Sequence, residues 1–393
     1  MRVAFVSPFF GADAAGGAES ECRNTAIRLA SSGIDVEILT TCARDLQHNW
    51  NLNYHRQGVF REDSLTIRRF RTEYVNLTAF KPLNSKIIQG DTLTGEEEKQ
   101  FMAMHVNCFD LYRYLSTNGN DYDWICFIPY LFGTTVYGSM INPEKSILIP
   151  CLHDEGYARM HVVKELFWRC ARIVFHAHSE LELAERLYGK MPGRSMVIGE
   201  GIDTELTSDA GRFRSNYNMT DPFVLYVGRK DEEKNVHTLI RYFAAYKKAR
   251  RNNLRLVLIG PAAMPIPADM RSDIIDIGFV PAQDKNDAYS AAMLLCQPSL
   301  NESFSIVMME SWLCKTPCLV SERCAVTREH VRRSGGGLYF NNYPDFEGCL
   351  DYLMEHGDMR QRMGETGRKY VTDNFAWDNI IRKYKKEVFA DGY

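Results

Sequence analysis

No stretch of this sequence approaches the ~20 consecutive apolar residues that a membrane-spanning helix needs, so any membrane contact is expected to be peripheral. The first apolar run, residues 3–6, is too short for the core of a secretion signal. No CxxC pair occurs among the 11 cysteines, and such an odd, scattered set argues for reduced thiols in a cytoplasmic compartment. Cys314, Cys318 and Cys324 lack zinc-like spacing and read as core and turn residues. An excess of one charge is missing too: 47 Lys and Arg oppose 50 Asp and Glu, and a net charge of −3 gives no general pull toward nucleic acid. A metal ligand set is also lacking. His176 and His178 share a strand face without an evident third ligand, and Asp121-Tyr122-Asp123 precedes its strand where a ligand-bearing pair should follow one.

What is present is an alternation of short apolar strands and amphipathic helices. At 393 residues the chain exceeds what one core usually supports, so two domains of roughly 180 residues are expected. Its 45% hydrophobic and 25% charged residues are the proportions of an ordinary globular protein. A strand over 3–6 leads through the loop 11–19 into a helix ending near Ser31, whose Ala26, Ile27, Leu29 and Ala30 face the sheet; a strand over 36–40 follows. Gly16 and Gly17 close the loop, where glycine lets a ligand approach the backbone and the helix end adds partial positive charge. Residues 44–120 are the least informative; they hold Arg68, Arg69 and Arg71 beside an apolar alternation, and a helix is expected over 98–115. Strands over 123–129 and 146–150 come next, and the second delivers His153 at its carboxyl end, the usual place for site residues in parallel sheets.

The stretch 294–320 organises the rest. It reads as a buried strand, a turn at Pro298, a polar loop, a helix starting near Ser305 and a further strand. In a parallel sheet such a loop lies at the strand's carboxyl end, with the next helix's amino end pointing into it, where an anion can be held. Glu302 sits in that loop and Glu310 within the helix. Two carboxylates beside a phosphate-friendly helix end suit a sugar nucleotide, one accepting from sugar hydroxyls and the other from a ribose diol. Upstream, Gly228-Arg229 and Lys234 flank another strand-to-helix turn, the charge arrangement that diphosphate recognition needs.

The seven residues between Glu302 and Glu310, set between Pro298-Ser299-Leu300 and Thr316-Pro317-Cys318-Leu319-Val320, resemble the Glu-x7-Glu signature of retaining glycosyltransferases of the GT-B fold, in the large family 4. Gly16-Gly17-Ala18-Glu19, the helix opening Ser179-Glu180, the stretch 196–203 and the Gly-Arg…Lys turn are similar to other parts of that family. The likeness covers nearly the whole chain, with gaps at 44–120 and 204–222. It implies an α/β protein of two Rossmann-like doubly wound domains facing a cleft: residues 1–203 on the acceptor side, with the helix 376–393 packing back on them; a linker over 204–222; and a donor-binding domain over 223–375. Three positions depart from the pattern. Ser303 and Ser305 stand where the family commonly has glycine, and serine is expected to cap the helix. Glu200 replaces an asparagine and is expected either to alter donor choice or to point to solvent.

The function so implied is transfer of a hexose, mannose favoured, from a nucleoside diphosphate sugar to a hydroxyl of a glycan or lipid-linked acceptor, without metal or cofactor. Glu302, His153, Arg229 and Lys234 are the expected catalytic group. Gly16, Gly17, Arg229, Lys234, Gly278, Phe279, Val280, Glu302, Ser305, Ile306, Val307 and Glu310 are expected around the donor, with the base held by the backbone of 278–280. Closure of the two domains is expected to hinge in 204–222 and near Phe375, and the three arginines at 68, 69 and 71 offer a contact for anionic lipid at the inner face of the cell membrane. The alternatives are a sugar-nucleotide 2-epimerase of the same fold, which would need no acceptor, and a non-catalytic sugar-nucleotide-binding protein.

Overall fold

A computed structural model describes residues 1–11, 16–232 and 234–390. Part of the glycine loop (12–15), Glu233 of the Gly-Arg…Lys turn and the end of the 376–393 segment lie outside the described residues. The chain divides into two compact units, Met1–Gly201 with Trp377–Tyr393, and Ile202–Ala376. All eleven cysteines are free thiols, and no helix among the described residues is long and apolar enough to cross a membrane.

The first unit is built on an eight-stranded sheet: β1 (Arg2–Ser7), β2 (Asp35–Thr41), β3 (Gly58–Glu62), β4 (Leu65–Phe70), β5 (Trp124–Phe127), β6 (Ser146–Leu148), β7 (Arg172–Phe175) and β8 (Arg194–Val197). Their order is β3-β4-β2-β1-β5-β6-β7-β8, parallel except for the β3–β4 hairpin. Val3 to Val6 are all fully buried because helices cover both faces of a parallel sheet, which is why this strand is a continuous apolar run instead of an alternation. The helix Gly17–Ser31 buries Cys22, Ala26 and Leu29, but also Glu21 and Thr25, whereas Ile27 and Ala30 stay half-buried.

The helix expected over 98–115 is two helices, Gly95–Ala103 and Phe109–Asn118. Between them Val106 adopts φ 43°, a left-handed conformation that a β-branched residue takes only under tertiary constraint, and the break turns Asn107 inward to donate to the Met102 and Ala103 carbonyls. Arg68 and Arg69 are committed inside this unit. Arg68 bonds Glu37 at 2.9 Å and lies over the Tyr114 ring, and buried Arg69 donates to the Phe10 and Thr41 carbonyls, so the lipid contact expected of the trio is left with exposed Arg71 alone.

The second unit is a six-stranded, wholly parallel sheet of β9 (Phe223–Val227), β10 (Arg255–Ile259), β11 (Ile274–Gly278), β12 (Leu294–Gln297), β13 (Cys318–Ser321) and β14 (Gly337–Phe340), ordered β11-β10-β9-β12-β13-β14. Its core gathers Val224, Leu256, Leu294 and Leu319 from the strands with Leu239, Phe243 and Phe346 from the helices. Trp312 is fully buried and donates its indole N–H to the Gly336 carbonyl, while Gly367 supplies the bare backbone that the ring packs against.

Residues 204–222, expected as a linker, belong to this second unit. They form a helix, Ala210–Asn216, capped by Asp209 and clamped where Arg212 pairs with buried Asp287 at 2.5 Å. A polar composition looked like linker because the partner carboxylate lies 75 residues away. The carboxyl-terminal segment is a short helix, Trp377–Lys383, followed by a π-helical turn, Tyr384–Val388.

Candidate functional site in the second unit

The strand order reverses direction between β9 and β12, and in open parallel sheets ligands bind outside the carboxyl ends at that point. There the sequence has kept side chains small. Gly228, Gly260 and Gly278 end β9, β10 and β11, the Gly228 N–H donates to the Ile259 carbonyl at 3.0 Å and the Gly260 N–H to that of Gly278 at 2.8 Å. A Cβ on Gly260 would overlap the Gly228 carbonyl oxygen, and its φ of 137° suits glycine alone.

Two loops meet at the reversal. After β9 the chain turns through Asp231, which accepts from the Lys234 N–H at 2.9 Å, and Asn235 takes a left-handed φ of 55° that asparagine tolerates. Its side-chain amide donates to the Pro298 carbonyl at 3.0 Å, tying this turn to the one after β12. The tie brings Lys234 Nζ to 2.8 Å from Glu302 Oε1, which also accepts from Gln297 Nε2 at 3.1 Å. Gln297 Oε1 and Ser299 Oγ are buried beside this pair with no partner among the described residues. Buried polar atoms are nearly always paired, so two orphans at one strand end mark a place built for a ligand's donors.

The helix Ile306–Leu313 follows, and here the expectation of a serine cap is corrected: Ser305 sits at the cap position with φ 76° and makes no capping bond. The site demands a left-handed residue, which explains glycine in the pattern this chain resembles; serine holds the same conformation at a cost of roughly 1–2 kcal/mol. Glu310 is gripped from the helix Ala282–Ala291, accepting from Lys285 Nζ at 2.6 Å and from the Tyr289 hydroxyl at 2.8 Å. Burial pushes the Tyr289 phenol well above its usual pKa, and the Glu310 charge adds to it, so this hydroxyl stays a donor.

Arg229 is placed differently from Lys234. Its half-exposed side chain faces Asp231 at 3.5 Å, whereas the neighbouring Lys230 is buried against Asp276 at 2.5 Å. Asp276 also accepts from the Gly278 N–H at 3.0 Å, so this hidden pair shapes the turn in which Phe279 is exposed and Val280 buried. Lys230, Lys285, Tyr289 and Gln297 were missed by sequence reasoning. Only Lys230, inside the Gly-Arg…Lys turn, carried any local signal.

In the first unit, Gly16 precedes the helix Gly17–Ser31 with extended backbone, its carbonyl accepting from the Ser20 N–H at 3.0 Å, and Gly17 is open to its surroundings. His153 is half-buried in the loop after β6, its carbonyl accepting from the Glu155 N–H. His176, read as lacking a third ligand, has close neighbours that the sequence does not reveal: its Nε2 lies 2.5 Å from Glu21, and its backbone N–H donates to Glu180 at 2.7 Å. Burial alone would lower the pKa of this histidine, but Glu21, with Glu180 and Glu200 behind it, raises it to about 10. Burial lifts Glu180 to about 7. Glu200 is buried and does not point to solvent; burial, with Glu21 adding, pushes it well above the carboxylate range.

Residues 208–370 match the family model described as glycosyl transferases group 1. An uncharacterised glycosyltransferase of Methanocaldococcus jannaschii is 22% identical over 98% of this chain and 96% of its own length. A D-inositol 3-phosphate glycosyltransferase of Acidothermus cellulolyticus is 26% identical, but that match spans 53% of this chain and only about half (51%) of the relative. Among solved structures, sucrose-phosphate synthase of Thermosynechococcus elongatus superposes with a TM-score of 0.74 at 18% identity, covering 98% of this chain and 97% of that one. HepE of Anabaena in complex with UDP-glucose gives 0.69 at 14% identity, covering 99% of both. With two Rossmann-like units and a Glu302–Lys234 pair at the strand reversal of the second, this chain has the GT-B fold, and its second unit carries the match to the group 1 glycosyl transferases.

Proposed function

We propose that this enzyme moves a hexose from a nucleoside diphosphate sugar to a hydroxyl of a glycan or lipid-linked acceptor, with retention at the anomeric carbon. The observation that carries the reading is the Lys234–Glu302 pair at 2.8 Å beside the amino end of the helix Ile306–Leu313. An incoming diphosphate competes for Lys234, and charge-assisted bonds to phosphate are the stronger kind. Release from Lys234 leaves the Glu302 carboxylate to accept from sugar hydroxyls, so one exchange of partners recognises both halves of the donor. Arg229 joins Lys234 on the departing diphosphate, the N–H groups at Ser305, Ile306 and Val307 meet the phosphates, and Glu310, already oriented by Lys285 and Tyr289, accepts from the ribose diol. The backbone of 278–280 receives the base.

The anomeric carbon–phosphate oxygen bond breaks and a carbon–oxygen bond to the acceptor forms on the same face, with the acceptor proton passing to the departing diphosphate oxygen. Preorganised cations stabilise that leaving charge, the largest single term in such reactions, and no metal is assigned to it. A UDP-hexose stands beside GDP-mannose as donor, because the solved HepE complex holds UDP-glucose. The test incubates the protein with UDP- and GDP-hexoses, with and without glycan and lipid-linked acceptors, and follows nucleotide release and product anomer by NMR. Acceptor-dependent release with a retained anomer is expected. An epimerised nucleotide sugar formed without acceptor, or an inverted product, would overturn the proposal.

A further inference from the structure

The carboxyl ends of β6, β7 and β8 lie side by side in the first sheet, and the helix Gly17–Ser31 packs its buried face beside them. Three side chains able to ligate a cation come together there from three segments. Glu21 Oε1 is 2.5 Å from His176 Nε2, Glu21 Oε2 is 3.5 Å from Cys151 Sγ, and the ligating atoms of these three residues all lie within 4.8 Å of one another. Glu21 is 4% exposed, His176 2% and Glu200 7%. The charge of Glu200 acts on this cluster from the end of β8, and its carboxylate makes no hydrogen bond among the described residues.

Further features point the same way. Cys151 is held at φ 52°, where a residue other than glycine is strained, and strain of this kind gathers where a side chain must be aimed. Glu180 accepts from the Leu152 N–H at 2.6 Å and the His176 N–H at 2.7 Å, and it lies 3.7 Å from His176 Nδ1. These bonds fix the backbone on either side of the cluster, and they hold the Glu180 carboxylate near the second ring nitrogen of His176. The two histidines of the HxH separate here, and His178 is no part of the cluster.

We propose that Glu21, Cys151 and His176 bind one zinc-class divalent cation. Sulfur, imidazole and carboxylate together favour zinc or cobalt over magnesium or calcium. A tetrahedral site with bonds of about 2.0–2.3 Å has ligand atoms roughly 3.3–3.7 Å apart. The Cys151–Glu21 separation already meets this, and the Glu21–His176 pair opens by about 1 Å to admit the ion. The ion replaces two protons, that on His176 and that of the Cys151 thiol, so the net charge of the cluster is unchanged. It has no assigned part in sugar transfer, and the proposal stands apart from the donor reading.

The full-length protein, stripped with chelator and dialysed, is titrated with Co²⁺ and then Zn²⁺. One Co²⁺ per chain is expected, with a thiolate-to-cobalt charge-transfer band that Zn²⁺ abolishes. Cys151→Ser should remove the band, and His176→Gln should weaken binding at least tenfold, while the control Cys349→Ser leaves both unchanged. X-ray absorption of the zinc-loaded wild-type protein, which needs no variant to fold, should show a single sulfur among the ligands. A folded wild-type chain without the band, a band that persists in Cys151→Ser, or zinc bound without sulfur overturns the assignment.

Discussion

The carboxyl ends of the two sheets use carboxylates in opposite ways. In the second unit each acid has its own cation, Glu302 with Lys234 and Glu310 with Lys285, and both lysines keep about a quarter of their side chain exposed. In the first, Glu21, Glu180 and Glu200 are all buried around one imidazole. Paired and partly hydrated charges can change partners cheaply, which suits a site that exchanges a lysine for a diphosphate. An excess of buried negative charge cannot stay as it is; it needs protons or a cation, and its ligands are immobilised by buried backbone hydrogen bonds.

The sharpest test of that contrast is Glu180→Ala. It orphans the buried Leu152 and His176 N–H groups, at roughly 1–3 kcal/mol each, so a loss of about 2–6 kcal/mol in chemical denaturation is expected. A loss below 1 kcal/mol would mean that the first cluster is no more rigid than the second. Lys234→Ala comes next: turnover should fall by about a hundredfold or more, near 2.7 kcal/mol, with an unchanged thermal midpoint. A folded variant of near wild-type rate would remove the diphosphate role.

A buried histidine without carboxylates makes the third test. His105 packs among Trp50, Phe80, Phe101 and Phe132, and burial lowers its pKa to about 3, whereas His176 is raised by Glu21. The folded state therefore binds no proton at His105 where the unfolded chain does, so stability is intact above pH 6.5 and declines as the pH falls toward 3, by up to about 1.4 kcal/mol per unit. Denaturant titrations at pH 7 and 5 should show wild type losing about 2 kcal/mol more than His105→Phe; equal losses would refute the shift. Smallest is Glu310→Gln, which keeps acceptor oxygens but loses the charge. The preference for ribo- over 2′-deoxynucleotide sugars should shrink severalfold, and an unchanged affinity ratio would place Glu310 away from the ribose.

Much of this molecule could be read along the chain. The strand over 294–297, the helix after it and the Gly-Arg…Lys turn are local patterns, since an apolar run, a breaker and a helical period lie within a few residues of each other. Ser305 was placed at the right position for the wrong reason, because a cap and a left-handed turn look alike in sequence while φ decides between them. The helix over 210–216 and the break at Val106 were hidden, since each depends on contacts made elsewhere.

By itself, then, the sequence determined the parallel α/β architecture, the two-unit size and the carboxylates and lysine that meet at the strand reversal, all of which follow from short-range periodicity and turn chemistry. Only the tertiary structure decided which charges meet. Lys285 reaches Glu310 across 25 residues, and His176 reaches Glu21 across 155. Glu200 was expected either near a ligand or in solvent, and it became a buried acid without a hydrogen bond among the described residues because β8 ends beside β7. Electrostatic partners are set by distance in space and by exclusion of water, and neither is written in the spacing of residues along a chain.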